Sequence, residues 1–391
     1  MVLQFFRTPK SETNEAKASA AAQVVAFHGA GRAAWSSRDS VTLTRIGFLK
    51  NPVTFRCVKL ISEAAAAVPI VVQDEKSRYD QHPVLSLLAA PNPGQAGPAL
   101  LESFYGYLLL SGDAFLEAAG EDSSGGPREL YALRSDRMRV IPGDDGWPVA
   151  YEYVLGANKH TFDMRQECPP ILHVKSFHPQ DDHYGLSPLQ AAASAIDVHN
   201  SASTWSKALL DNAARPSGAI VYRGADGQGA LAADQYARLL DELETYHQGA
   251  RNAGRPMLLE GGLDWKQMGF SPSDMEFHNT KAAAARDIAL AFGVPPMLLG
   301  LPGDNTYANY QEAHRAFYRL SVLPLVSKAM ASISAWLPQF YRAGFQIKVD
   351  FDNVPALNEE RETLWRRISD ADFLSDAEKR HMLGLPKLRD D

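Results

Sequence analysis

Apolar positions along this chain follow two periods, one helical and one alternating, and Asn, Ser, Gly and Pro mark where each begins and stops. Asn51-Pro52 is a helix start, with Val58, Ile61, Ala65 and Val68 on one stripe before Pro69 ends it. Ile70–Gln73 reads as a strand. His82-Pro83 opens a short helix closed by Pro91-Asn92-Pro93, and Ala99–Leu110 reads as another. After Gly112-Asp113 the pattern alternates. Strands are expected at Ala114–Ala118, Glu129–Leu133, Met138–Ile141, Val149–Leu155 and Ile171–Phe177, separated by turns such as Pro142-Gly143-Asp144-Asp145-Gly146. Helices followed by a meander of strands give an α+β class.

The second half returns to the helical period. Ser187-Pro188-Leu189-Gln190 has the form of a capping box, and one Ala- and Ser-rich helix is expected from it to about Asn212, about 37 Å long. A small lobe follows, with a strand at Ala219–Arg223, a helix at Ala233–His247 and strands near Met257–Leu259 and Leu263–Met268. A second capping box, Ser273-Asp274-Met275-Glu276, starts a helix that Gly293 and Pro295-Pro296 stop, with Phe277, Ala284, Ile288 and Phe292 on one face. Two long helices bracketing a lobe of about sixty residues imply a stalk carrying a head, provided the helices lie side by side. Beyond a loop at Met297–Asn305, a stripe of Tyr310, Ala313, Phe317 and Leu320 marks a helix that kinks at Pro324 and continues to Leu337-Pro338. Phe345–Phe351 alternates as a strand with one buried face. A charged helix over Asn358–Ala371 and a capped one from Ser375 to Gly384 close the chain.

Composition narrows the function classes. The chain has 391 residues, 45% of them hydrophobic and 22% charged, as in a globular protein of two or three domains. A net charge of −7 argues against a surface built to grip phosphates. Cys57 and Cys168 stand far apart in unlike contexts, so no structural disulfide is expected. No run reaches eighteen consecutive apolar residues and no signal-peptide core opens the chain, so the expectation is a soluble intracellular protein. Residues 1–40 mix Ala, Ser, Gly, Lys and Glu without steady period and read as a mobile arm.

Candidate chemistry is thin. His173, His178, Asp181, Asp182 and His183 have metal-ligand residue types, and a metal-dependent hydrolase built on His173–His183 is the alternative function; a polar loop is the favoured reading. Gly224–Gly229 is similar to a dinucleotide loop but lacks the βαβ context. Asp350 and Asp352 share a strand face and could pair for acid–base work, although a solvated strand end is favoured. Trp205, Tyr222, Tyr246 and Trp265 could stack on bases, but few basic neighbours attend them. No catalytic residue, metal site or cofactor is assigned. From Asp287 to His314 there is no Lys or Arg, so the Gly-rich loop in that stretch has nothing positive to hold a phosphate.

Several segments in fixed order carry a resemblance. They are NPVTFRCVKLISEAAAAVP (51–69), HPVLSLLAAPNP (82–93), SGDAF (111–115), ILHVKSF (171–177), GLSPL (185–189), NAARPSGAI (212–220), DIALAFGVPPMLLG (287–300) and TYANYQEAHRAFY (306–318), with Leu323-Pro324 after them. The chain resembles the portal proteins of long-tailed double-stranded DNA bacteriophages, a family also found in prophages and gene transfer agents. The resemblance implies an α+β portal fold with long stem helices, an inserted small α/β clip lobe, an α+β wing and a short helical crown. Carried over by position, 1–40 is an N-terminal arm, 41–186 the first part of the wing, 187–213 stem helix 1, 214–272 the clip, 273–293 stem helix 2, 294–306 a tunnel loop, 307–354 the rest of the wing and 355–391 the crown. It implies a ring of about twelve copies at one capsid vertex, formed in the bacterial cytoplasm and then part of the particle, through which double-stranded DNA is packaged and ejected. Its partners would be the major capsid protein, the terminase packaging motor and a head–tail adaptor protein. Leu301, Pro302, Gly303, Asp304, Asn305 and Thr306 would face the DNA. Arg223, Asp226, Gln228, Arg251, Asn252 and Arg255 would meet motor or adaptor.

Overall fold

In the computed structural model, residues 36–37, 39–74, 77–79, 81–122, 125–211, 218–222, 234, 237–238, 263–267, 277–301, 307–341 and 344–385 are described. Among them the helices are α1 (Ser40–Leu43), α2 (Pro52–Ala66), α3 (Pro83–Ala89), α4 (Gly97–Ser111), α5 (Pro188–Ala191), α6 (Ala193–Asp211), α7 (Phe277–Ala291), α8 (Tyr307–Phe317), α9 (Leu323–Tyr341), α10 (Asn358–Ser369) and α11 (Asp376–Leu383). Single π-helical segments follow α1 (Thr44–Phe48) and α8 (Tyr318–Val322). The strands are β1 (Ile70–Gln73), β2 (Arg78–Tyr79), β3 (Asp113–Ala119), β4 (Glu129–Leu133), β5 (Met138–Pro142), β6 (Pro148–Leu155), β7 (Asn158–Asp163), β8 (Ile171–Lys175), β9 (Gly218–Tyr222), β10 (Leu263–Gln267) and β11 (Gln346–Val349). They form antiparallel sheets in the orders β4-β3-β8, β5-β6-β7, β11-β1-β2 and β10-β9.

Strand β3 divides two cores because alternate residues point to opposite faces. Ala114 and Leu116 enter the main core with Leu130 of β4 and Val174 of β8. Phe115 turns the other way, to a smaller core with Leu133, Ile171 and, from the second sheet, Met138, Tyr151 and Phe162. The main core is otherwise helical. Val58, Ile61, Ala65 and Val68 are all buried, as their stripe requires, beside Leu100, Phe104, Tyr105 and Leu108 of α4. At roughly 2 kcal/mol for each large apolar side chain withdrawn from water, this α2–α4 contact is a principal source of stability.

Caps are placed as expected. The Asn51 side chain accepts from the N–H groups of Val53 and Thr54, His82 caps α3 through Val84 N–H, and Ser375 and Glu378 complete a reciprocal capping box at α11. The proposed box at Ser273–Glu276 lies outside the described residues, as do most of the expected helix at 233–247 and the strand near 257–259.

Several expectations are corrected. The helix expected as one piece from Pro188 breaks at Ala192 into α5 and α6, and at its start Ser187 caps Gln190 N–H. Strands β2 and β7 were not anticipated; β7 reads NKHTFD, where only Phe162 is buried, so a half-exposed strand leaves almost no apolar alternation. The stripe Tyr310-Ala313-Phe317-Leu320 fails at its ends: Phe317 is buried, but Tyr310 is 49% and Leu320 77% exposed. The π segment at Tyr318–Val322 adds a residue to one turn, turning Leu320 out and Val322 and Leu323 in. The helix continues past Pro324 as expected but runs through Pro338 to Tyr341, and helix Asn309–Tyr341 is long and apolar enough by length and composition to cross a membrane. Its apolar residues have partners within the fold: Val326, Met330, Ile333 and Leu337 are buried in the main core with Ile347 and Val349 of β11. Asp350 is not a solvated strand end either. It is 5% exposed and accepts from Arg78 Nη2 at 2.5 Å and Asn353 Nδ2 at 2.7 Å, while Asp352 accepts from Arg361 and from Trp365 Nε1.

Candidate functional site

Helices α6 and α7, which bracket the lobe, pack side by side. Their buried residues are mostly small or apolar: Ala193, Ile196 and Ala202 on α6, with the polar His199 among them, and Ala284, Ala285, Ile288 and Ala289 on α7, with Phe292 just past its end. Small side chains let two helix axes approach closely. The base of α6 is tied to the wall of the fold by polar bonds. Asn51 Nδ2 contacts His199 Nδ1 at 3.1 Å and donates to Asn200 Oδ1 at 2.9 Å, while Asn200 Nδ2 donates to the Ile46 carbonyl. Asp197 accepts from the backbone N–H and hydroxyl of Ser36. Burial lowers the His199 pKa, and the Lys281 charge on α7 lowers it further, so the neutral ring that accepts from Asn51 is favoured.

Two of the motif segments meet here as well. Gly112, at φ +84°, ends α4, and Gly185 leads into α5; a Cβ on either would stand 2.1–2.3 Å from the other's carbonyl oxygen. Asp113 Oδ1 accepts the Gly185 N–H at 2.9 Å and faces His173 Nε2 at 2.8 Å. His173 stacks on Phe115, and its Nδ1 lies 3.1 Å from the Tyr151 hydroxyl. Burial, with the Asp113 charge adding to it, pushes the Tyr151 hydroxyl up to about 12.

This geometry disperses the residues that suggested a metal hydrolase. His173 is committed to Asp113 and Tyr151, Asp181 accepts from the N–H groups of His183 and Tyr184, and His178 accepts from the Gln180 N–H. Among the described residues no three His, Cys, Asp or Glu side chains converge as ligands. The sequence signal for Asp113 was only its place after a glycine, since its partners arrive from 60 and 72 residues away.

At the far end of α7 the chain turns through Gly293 (φ +66°), buries Val294, makes one 3-10 turn at Pro296–Leu299 and reverses at Gly300 (φ +71°). Leu298 and Leu299 pack on the main core. The Ser321 hydroxyl donates to the Gly293 carbonyl. Leu301 is half-buried, and Pro302, Gly303, Asp304, Asn305 and Thr306 lie outside the described residues. So do Arg223, Asp226, Gln228, Arg251, Asn252 and Arg255. Only the antiparallel pair β9–β10 of their lobe is described in any length.

The profile of the phage portal protein family matches residues 52–384. The chain belongs to that family. Solved necks of gene transfer agent particles agree with it. The neck of an empty particle, computed with C6 symmetry, holds a chain 65% identical to this one, covering 92% of this chain and 97% of that one with a TM-score of 0.72. The neck of a native particle, computed with C12 symmetry, gives 64% identity, the same coverage and a TM-score of 0.71. A portal protein of the HK97 family from Corynebacterium diphtheriae, at 16% identity, shares the fold: it covers 84% of this chain and 99% of that one with a TM-score of 0.55. The mixed helix-and-sheet portal architecture expected from the sequence is therefore the one observed, and the hydrolase alternative has no support.

Proposed function

We propose that this portal protein closes as a ring of about twelve copies at one vertex of a phage or gene-transfer-agent particle and serves as the conduit through which double-stranded DNA is packaged and ejected. The observation that carries the reading is the match, over almost the whole chain, to a protein found in necks computed with C6 and C12 symmetry. In this reading α5–α6 and α7 are the stem, 214–272 is the clip that meets the terminase motor and then the head–tail adaptor, and 355–391 is a small crown. Arg223, Asp226, Gln228, Arg251, Asn252 and Arg255 would supply the clip's contacts, and the major capsid protein would surround the wing. Assembly would take place in the bacterial cytoplasm before the ring joins the capsid. No residue is assigned a catalytic role.

The loop at 294–306 would face the DNA. A conduit must centre a polyanion without gripping it, because each Lys–phosphate contact adds affinity and so friction. A stretch without Lys or Arg from Asp287 to His314 meets that need, with Asp304 repelling and Gly303 and Asn305 offering no charge. Ring closure fits the same chain: heterologous contacts close when the rotation between copies divides a full turn.

Native mass spectrometry of the purified chain, followed by replacement of Asp304 and Asn305 with Lys in particles, tests the reading. Rings of about twelve copies are expected, and the Lys variant should assemble but package DNA slowly. A chain that stays monomeric in every condition, in particles that fill without it, would sink the proposal.

A further inference from the structure

Two polar lines run from one rung of the β5-β6-β7 sheet to two consecutive residues at the root of α5. Val140 of β5 and Tyr151 of β6 stand opposite each other in the register. From Val140, on the edge strand, the backbone N–H donates to the Tyr184 hydroxyl at 2.9 Å. From Tyr151, the hydroxyl meets His173 Nδ1 at 3.1 Å, His173 Nε2 meets Asp113 Oδ1 at 2.8 Å, and that oxygen accepts the Gly185 N–H at 2.9 Å. Ser187, which caps α5, comes two residues later.

The second line is directional and dry. Burial keeps the Tyr151 hydroxyl protonated, so it donates to Nδ1 while Nε2–H donates to the carboxylate. The side chains of Asp113 and His173 are only 6% and 8% exposed, so a broken bond leaves a buried group unpaired rather than hydrated. The apolar contact between the two sheets, Phe115, Leu133 and Ile171 with Met138, Tyr151 and Phe162, carries no such direction.

We infer that this bracket is a mechanical coupling: a displacement of the β5-β6-β7 sheet is delivered through the Tyr151 and Tyr184 hydroxyls to the root of α5, and so to the place where α5 and α6 leave the body of the protein. The coupling is a property of the single chain and holds whether or not copies close into a ring. Neither hydroxyl is needed to keep α5 in place, because Gly185 also rests on Gly112 and Ser187 caps the helix. What the hydroxyls add is that sheet and helix move together.

Hydrogen exchange of the purified full chain, read on peptides spanning 150–163 and 184–191, tests the coupling. The sheet is disturbed at one of its own turns. Gly156, between β6 and β7, has φ +61° and nothing within 4 Å of a built Cβ, so Gly156→Val strains that turn and touches nothing else. In the otherwise native chain we expect exchange to rise at 150–163 and about fivefold at 184–191, the factor that one net hydrogen bond represents. In the Tyr151→Phe/Tyr184→Phe background, Gly156→Val should still raise exchange at 150–163 but leave 184–191 at that background's own level. Should Gly156→Val fail to fold or leave the sheet undisturbed, Gly146→Val strains the β5–β6 turn, at φ +81° and equally open, with the same expectations. A disturbance that stays within the sheet in the native background overturns the inference. So does one that reaches 184–191 with both hydroxyls absent, which would make the apolar core the carrier.

Discussion

Gly112 and Gly185 meet backbone to backbone, with a Cβ on Gly185 placed 2.1 Å from the Gly112 carbonyl oxygen. Ser176 N–H donates to that same carbonyl, and the Asp113 carboxylate receives the Gly185 N–H. The contact seats the start of α5 against the end of α4 and the edge of the β4-β3-β8 sheet, so it sets where α5 and α6 leave the body of the protein.

Gly185→Ala should therefore be severe, about 3 kcal/mol or more, since backbone must move on both sides. Gly106→Ala offers the contrast. Gly106 lies within α4 with nothing within 4 Å of a built Cβ, and Ala there should stabilise by about 0.5–1 kcal/mol through a less flexible unfolded chain and better helix propensity. Urea unfolding of both variants checks the pair; equal effects would contradict the packing account.

His199 predicts an acid limit. Its pKa is depressed in the folded chain by burial and by Lys281, so below the unfolded value of 6.5 the unfolded chain binds a proton that the folded chain resists. Stability from this group is complete above 6.5 and declines as pH falls from there through the depressed native value. Unfolding free energy measured between about pH 5 and pH 8 should show that decline, and His199→Gln should flatten it. A slope unchanged in His199→Gln would assign the effect to another group.

Arg78 and Asp350 make the third case. Burial works to raise the Asp350 carboxyl, but Asn353 and Arg78 more than offset it and hold the group below its usual range. Arg78→Met strands a carboxylate that is 5% exposed and should cost about 3 kcal/mol. Adding Asp350→Asn to Arg78→Met should return most of that loss, a coupling that a double-mutant cycle measures directly. As pH falls through the depressed native value, the stability that depends on the ionised carboxyl is lost, so native protein and Arg78→Met should converge in acid.

Much of this architecture was legible in the order of residues. Asn51-Pro52, His82-Pro83, Ser375 with Glu378, and Gly293 before Pro295-Pro296 each fixed a helix boundary through bonds made within a few residues. The stripe Val58-Ile61-Ala65-Val68 told which face of α2 is buried, because a helix repeats its surface every three to four residues. Candidate sites were less legible. Asp350 looked solvated because the residue that makes it tolerable, Arg78, lies 272 positions away. The histidines near residue 180 have ligand residue types, but a polar loop is the favoured reading because spacing alone gives no direction to side chains.

The sequence by itself determined most of the helices and strands, the caps at Asn51, His82 and Ser375, the α+β class and a loop free of cations, all properties set by neighbours along the chain. Tertiary structure alone decided that α6 lies against α7, that Gly112 touches Gly185, that Asn51 holds His199 and Asn200, and that the Ser321 hydroxyl reaches the Gly293 carbonyl. Those contacts join residues tens to hundreds of positions apart. Which pairs meet is a property of the packed whole, where close approach and the need to satisfy each buried polar group select one arrangement.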